Sequence, residues 1–216
     1  MKKYRKIDPL DICDVLTKIE NSFNIKLDNE SLAGATTYGK LYDIILDKIK
    51  LEHSDTCTTQ HAFYLLRNAI AATTNADKCG ITPHSKLSKI FPKEHRPTAI
   101  EEIERELGFK INLLQPRKWL IDLFGIVGFI FFCMIFQNWL IGATGVLASI
   151  LGFKLAGKFG KEMRLKTVGD LANKISRESY LKVRRDNTVN RNEVEQKVKE
   201  LFMDDTRLDP VFLLRK

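Results

Sequence analysis

Apolar residues recur every three to four positions over most of the chain, which is the period of an amphipathic α-helix. Near the N-terminus, Val15, Ile19 and Phe23 share one face. Asp8-Pro9 supplies a helix start, because proline fits the first helical turn. No segment shows a persuasive strand alternation. The predicted helices cover residues 8–23, 41–50, 59–73, 87–91, 98–107, 167–180 and 192–202. The pattern therefore predicts an all-α fold.

A different pattern occupies residues 119–153, where Asp122 is the one charged residue. A bilayer span needs about 20 apolar residues, so the block is too long for one helix. The polar pair Gln137-Asn138 divides it into predicted helices at 119–136 and 139–157. We expect a transmembrane helical hairpin, with a re-entrant hairpin as the alternative. Trp119 and Trp139 are its expected membrane-interface anchors.

Charge gives the hairpin an orientation. The chain has 216 residues and a net charge of +8, and residues 154–216 contribute 16 Lys and Arg against 10 Asp and Glu. By the positive-inside rule this favours a two-span protein of a bacterial inner membrane with both termini cytoplasmic. We expect a lipid-facing basic patch rather than a nucleic-acid site, since few stacking residues lie nearby. The patch comprises Lys154, Lys158, Lys161, Arg164 and Lys166.

Two short motifs occur twice. Residues 19–27 (IENSFNIKL) match residues 103–111 (IERELGFKI), and residues 37–41 (TYGKL) match residues 167–171 (TVGDL). In the first copy the two motifs are close together, whereas the whole apolar hairpin separates them in the second. The hairpin therefore reads as an insertion into one copy of a repeated helical unit, which a surface loop tolerates well.

At these motifs the chain resembles the acyl carrier proteins, which attach phosphopantetheine to a serine at a helix start. Residues 8–23 resemble the family's second helix, residues 37–45 its fourth, and residues 193–214 its first helix and following loop. Pro9 occupies the position of the attachment serine and has no nucleophile, and the family's acidic recognition helix is also missing. The resemblance implies a carrier-like module at 1–51, a helical region with the start of a second copy at 52–118, the hairpin at 119–157, and a basic helical tail at 158–216.

These features predict a non-enzymatic, membrane-anchored docking or localisation module, without catalytic residues, cofactor or metal. Its expected partners are the lipid bilayer and a cytoplasmic, acyl-handling protein. An accessory subunit of acyl or lipid metabolism, working beside a separate active carrier, is the alternative. Less favoured is a metal-dependent membrane enzyme using Cys57, His61, Cys79 and His84. The small-residue face of the second apolar helix fits either the first helix or a second copy of the chain.

Overall fold

The computed structural model describes residues 9–35, 37–74, 76–116, 118–158, 162–184 and 188–206. About 70% of the chain is helical, which confirms the prediction of an all-α protein. The helices are α1 (Pro9–Phe23), α2 (Asn29–Leu32), α3 (Tyr38–Lys48), α4 (Thr58–Thr74), α5 (Leu87–Ile90), α6 (Arg96–Leu107), α7 (Lys118–Met134), α8 (Trp139–Lys158), α9 (Val168–Glu178), α10 (Tyr180–Val183) and α11 (Arg191–Thr206).

In the part of the chain that the structure describes, four strands of two residues each accompany the helices. They are β1 (Glu52–His53), β2 (Leu114–Gln115), β3 (Glu162–Met163) and β4 (Thr188–Val189). β1 pairs in parallel with β4, and β2 pairs antiparallel with β3. These strands are too short to be recognised from the sequence, because an apolar–polar alternation is a strand signal only when it is sustained over about four to eight residues.

The chain divides into two compact units, one of residues 1–68 with 169–216 and the other of residues 69–168. In the first unit, α11 packs along α1 and also contacts α3. Val15, Ile19 and Phe23 on one face of α1 are fully buried. The centroids of the Phe23 and Tyr180 rings lie 5.1 Å apart. The core of this unit is completed by Leu41, Tyr42, Ile45, Ile49, Val189, Val194, Val198, Leu201 and Phe202.

The second unit contains α5 to α8. Leu87 and Phe91 of the α5 segment are buried, and the Arg96 side chain donates two hydrogen bonds to the Phe91 carbonyl at 3.1 and 3.0 Å. Ile100 and Ile103 on one face of α6 are also buried. β2 and β3 lie directly before α7 and after α8, so their pairing closes the base of the α7–α8 hairpin.

The hairpin itself follows the predicted division, with its turn between Met134 and Trp139. A Cβ atom added at Gly145 would overlap the ring of Phe131, and one added at Gly152 would overlap the ring of Phe124. The glycines of α8 therefore allow large side chains of α7 to approach its backbone closely. The small-residue face of α8 packs against α7, as the first of the two alternatives predicted, and association with a second copy of the chain stays a prediction.

The predicted localisation as a two-span membrane protein is wrong. Among the residues that the structure describes, no helix combines the length and the apolarity that crossing a membrane requires. α7 has 17 residues, or about 26 Å of helix, whereas the hydrocarbon core is about 30 Å thick. α8 has 20 residues, but Lys154 limits its uncharged stretch to about 22 Å. A two-span protein with cytoplasmic termini is therefore not supported.

Candidate functional site

A buried arginine organises the first unit around a polar network. The side chain of Arg184 is 2% exposed, and its Nη1 lies 3.4 Å from Oε2 of Glu193. The same Nη1 donates to the Thr56 carbonyl at 2.8 Å and to Thr58 Oγ1 at 2.7 Å. The Arg184 Nη2 donates to the Ser54 carbonyl at 2.5 Å. A buried guanidinium is tolerated because it is both paired and hydrogen-bonded.

Glu193 joins this network to the start of α4. Its two carboxylate oxygens accept from the Thr58 backbone N–H at 3.1 and 3.2 Å, and Oε2 also accepts from the Thr58 hydroxyl at 2.5 Å. The first backbone N–H groups of a helix have no partner within the helix, and a negative charge is favourable there. The carboxylate of α11 thus caps α4 across 135 residues of sequence.

Tyr180 lies beneath the same carboxylate. Its hydroxyl accepts from the Asn190 backbone N–H at 3.0 Å and donates to Glu193 Oε2 at 3.4 Å. Burial of the ring raises the pKa of the Tyr180 phenol above its ordinary value of 10.0. The phenol therefore stays neutral at physiological pH and acts as a hydrogen-bond donor that positions Glu193.

An open cleft of about 230 Å³ adjoins the network. Cys57 in its wall is exposed, and Nδ1 of His61 is hydrogen-bonded to the Val183 carbonyl. A carbonyl oxygen only accepts, so Nδ1 carries the proton in this contact. The lining residues are Thr56, Cys57, Thr58, Gln60, His61, Tyr64 and Arg184.

The predicted Cys and His candidates are divided between the two units. Cys57 and His61 line the cleft of the first unit, whereas Cys79 and His84 are exposed residues of the second. Cys79 lies in a 3-10 turn, where its backbone N–H donates to Asp77. Within the described ranges, no group of three or more His, Cys, Asp or Glu is placed to hold a metal ion.

The repeated motif has the same turn geometry in both copies. Glu20 Oε1 accepts from the Leu27 backbone N–H at 2.6 Å, and Glu104 Oε1 accepts from the Ile111 backbone N–H at 2.8 Å. Each pair is separated by seven residues. The residue that ends the helix between them has a positive φ in both copies, 47° at Asn24 and 75° at Gly108. The sequence repeat thus corresponds to a repeated helix-end structure.

The structure also gives the positions of the other candidate residues, which are Pro9, the two tryptophans and the basic patch. Pro9 begins α1, as its position in the motif predicted. Trp119 and Trp139 are 56% and 69% exposed, at opposite ends of the hairpin. In the basic patch, Lys154, Arg164 and Lys166 are exposed. Lys158 is the last residue of α8, but its side chain and the whole of Lys161 lie outside the described residues.

Sequence reasoning missed the Arg184–Glu193 network. Residues 181–191 carry several charges and no periodic apolar residues, which is typical of a solvated linker. The one local sign of a buried arginine was that Arg184 directly follows the apolar Val183. An apolar residue followed by a charged one is too common in sequences to identify a buried side chain.

Comparison with known proteins adds no relative. No protein family, curated protein or solved structure matches this chain.

Proposed function

We propose that this chain is a non-enzymatic docking module with a carrier-like helical scaffold, which binds an acyl-handling protein without carrying an acyl group itself. The observation that carries this proposal is Pro9 at the first turn of α1. In the acyl carrier proteins that the sequence resembles, a serine at this position forms the phosphodiester with phosphopantetheine. Proline has no hydroxyl, so the attachment chemistry is lost while the helix start is kept.

The packing of the first unit supports the scaffold. Residues 193–206 of the segment that resembles the family's first helix lie in α11, which packs on α1 and α3, the helices that resemble the second and fourth. The short α2 takes the place of the third helix between them. It is capped by Asp28, whose carboxylate accepts from the Ser31 backbone N–H at 2.8 Å. The helix order along the chain differs from the family, because the first helix comes last.

The repeated helix end also supports the carrier-like scaffold. The Glu20–Leu27 and Glu104–Ile111 hydrogen bonds fix the chain as it leaves α1 and α6. A turn kept in two copies, with the same acceptor type and spacing, is consistent with a duplicated unit. Docking also suits the surface, because α1 exposes the charged residues Asp11, Asp14 and Lys18.

The attachment claim is tested by mass. The full chain is incubated with coenzyme A and a broad-specificity phosphopantetheinyl transferase, and its intact mass is measured. We expect no gain for the wild type or for Pro9→Ala, and a gain of one phosphopantetheine for Pro9→Ser. A gain by the wild type would refute the assignment of Pro9. Failure of Pro9→Ser to gain mass would count against the carrier-like scaffold.

The docking claim is tested by competition. The wild-type chain is added to reactions in which the same transferase loads an active acyl carrier protein. We expect the apparent KM for the carrier to rise with the amount of chain added. Asp14→Lys on α1 should weaken the competition, whereas Asp47→Lys makes the same charge change on α3 and should not. No change in KM at a large excess of the chain would overturn the proposal.

A further inference from the structure

The α7–α8 hairpin exposes apolar side chains along its length, and the most exposed of them lie at or towards its tip. Phe136 is 85% exposed, Trp139 69%, Phe129 68%, Leu140 66% and Phe132 54%. At about 200 Å² for a large side chain, these five expose on the order of 700 Å². This reaches the largest apolar patch expected on a soluble monomer, and such patches mark interaction sites.

The base of the same hairpin is basic. Residues 118–166 contain six Lys and Arg against two Asp and Glu, and residues 123–153 contain none of the four types. Lys154 is exposed near the end of α8, and Arg164 and Lys166 are exposed just beyond β3, which closes the base. Asp122 and Glu162 are the two acids there. The hairpin is therefore polarised along its axis, with an apolar tip and a cationic base.

This polarity selects one kind of occupant. In a side-by-side pair of hairpins the two basic bases would repel each other, and in an antiparallel pair each apolar tip would face a basic base. An anionic lipid surface is complementary instead, because its headgroups are negative and its interior is apolar. From Trp139 to Lys154 the helix rises about 22 Å, which is close to half of a bilayer of about 40–45 Å including its headgroups.

We propose that the hairpin inserts tip first into one leaflet of an anionic lipid surface and does not cross it. Phe136 and Trp139 lie deepest, and Lys154, Arg164 and Lys166 meet the headgroups. Reversible attachment of this kind combines apolar burial with electrostatic attraction. The inference stands apart from the docking function, because it uses only residues of the second unit and nothing of the carrier-like scaffold.

Vesicle binding of the full chain tests the insertion. We expect co-sedimentation with vesicles that contain phosphatidylglycerol, and much weaker binding to pure phosphatidylcholine or at high salt. Lys154→Glu and Arg164→Glu should each lower the affinity by about fivefold or more. Lys50→Glu is the control, since it makes the same charge change at an exposed position of the first unit. Phe136→Asp should abolish binding without unfolding the chain, because this side chain is mostly exposed.

The two tryptophans report the depth. In a Trp119→Phe variant, Trp139 emission should shift to the blue on binding and be quenched by lipids brominated along the acyl chain. In a Trp139→Phe variant, Trp119 should be quenched by bromine near the headgroup. Equal quenching of both by the deep label would contradict tip-first insertion.

Three results would overturn the proposal. The first is no binding to anionic vesicles. The second is a soluble oligomer that Phe136→Asp converts to monomer and that does not bind lipid vesicles. The third tests crossing in a variant with its native cysteines replaced by serine. There, an Asn138→Cys thiol that reacts only with an impermeant reagent enclosed in the vesicle would show that the tip reaches the far side.

Discussion

Nη1 of Arg184 lies 3.4 Å from Oε2 of Glu193, and Thr58 donates to that same carboxylate oxygen through its hydroxyl. The pair connects α10 to α11 and to the first turn of α4. Both side chains are largely shielded, at 2% and 18% exposure. An ion pair in this position is sensitive to the loss of one partner, because the other stays buried with its charge uncompensated.

Glu193→Ala should therefore destabilise the chain by about 3 kcal/mol. The substitution leaves Arg184 without its counter-ion and the Thr58 N–H without its acceptor. Glu193→Gln should cost less, since an amide oxygen still accepts from Thr58. The free energy of unfolding is measured by urea denaturation followed by far-ultraviolet circular dichroism.

The control is Glu195→Ala on the same helix. Glu195 pairs with Lys199 at 2.7 Å, but both side chains are about one-third exposed. A solvent-exposed pair of this spacing contributes about 0.3–0.5 kcal/mol. Equal losses in Glu193→Ala and Glu195→Ala would mean that the buried pair has no special role in stability.

This network shows where sequence reasoning reached its limit. The apolar period predicted the helices well, with residues 59–73 forming α4 and residues 98–107 lying within α6. The period says nothing about which helices meet. α11 packs on α1 from about 180 residues away, and Arg184 finds its partners at residues 54–58 and at Glu193. Contacts of that kind leave no local pattern, so a charged linker and a buried ion network have similar sequences.

The apolar block was misread for a related reason. Counting apolar residues from 119 to 153 gives enough for two spans, but a span depends on continuous helix. Residues 135–138 form the turn, and α7 ends at Met134. By contrast, the repeated motif was visible in the sequence, because Glu20 and Glu104 bond to residues only seven positions ahead and the geometry is therefore local.

The two repeated glutamates should protect their own turns. Glu20→Ala removes the acceptor of the Leu27 N–H, and we expect faster amide hydrogen exchange at Leu27 but not at Ile111. Glu104→Ala should reverse this result. Each loss should cost about 1.5–3 kcal/mol, the range for a hydrogen bond to a charged group. Glu20→Gln and Glu104→Gln keep an acceptor and serve as controls. Exchange is followed by nuclear magnetic resonance, and a change at both amides in every variant would contradict local protection.

The cap of α2 should make stability depend on pH. Hydrogen bonds from Ser31, followed by the Lys48 ammonium at 3.2 Å, lower the pKa of Asp28 from 3.8 to about 2. Because the folded-state pKa is the lower one, this stabilisation is present above pH 3.8 and is lost as the pH falls towards 2. Asp28→Asn keeps the cap but not the charge.

The stability difference between wild type and Asp28→Asn should therefore shrink between pH 4 and pH 2 as Asp28 is protonated. Asp47→Asn, an exposed aspartate of α3, is the comparison. Unfolding by urea is measured at several pH values for all three proteins. A difference that stays constant over this range would show that the charge of Asp28 does not stabilise the fold. Because the Asp28 side chain is exposed, added salt should reduce the effect.

The hairpin depends on the absence of a side chain at Gly145. A Cβ there would overlap the Phe131 ring, so Gly145→Ala must push α7 and α8 apart. We expect a loss of about 1–3 kcal/mol, as for overpacking in other tightly packed sites. Gly125→Ala is the matched control, because a Cβ at Gly125 meets nothing within 4 Å. There the higher helix propensity of alanine should raise stability by up to about 1 kcal/mol.

Gly145→Ala and Gly125→Ala are expected to change stability in opposite directions, and this separates the effect of packing from that of helix propensity. A third variant tests whether the packing effect arises from the contact with Phe131. Phe131→Ala removes the ring that Gly145→Ala would strike. In the double variant, the cost of Gly145→Ala should fall by about 1 kcal/mol or more, which a double-mutant cycle of unfolding free energies measures. If the two costs simply add, Gly145 does not act through Phe131, and the close approach of the two helices is not what holds the hairpin together.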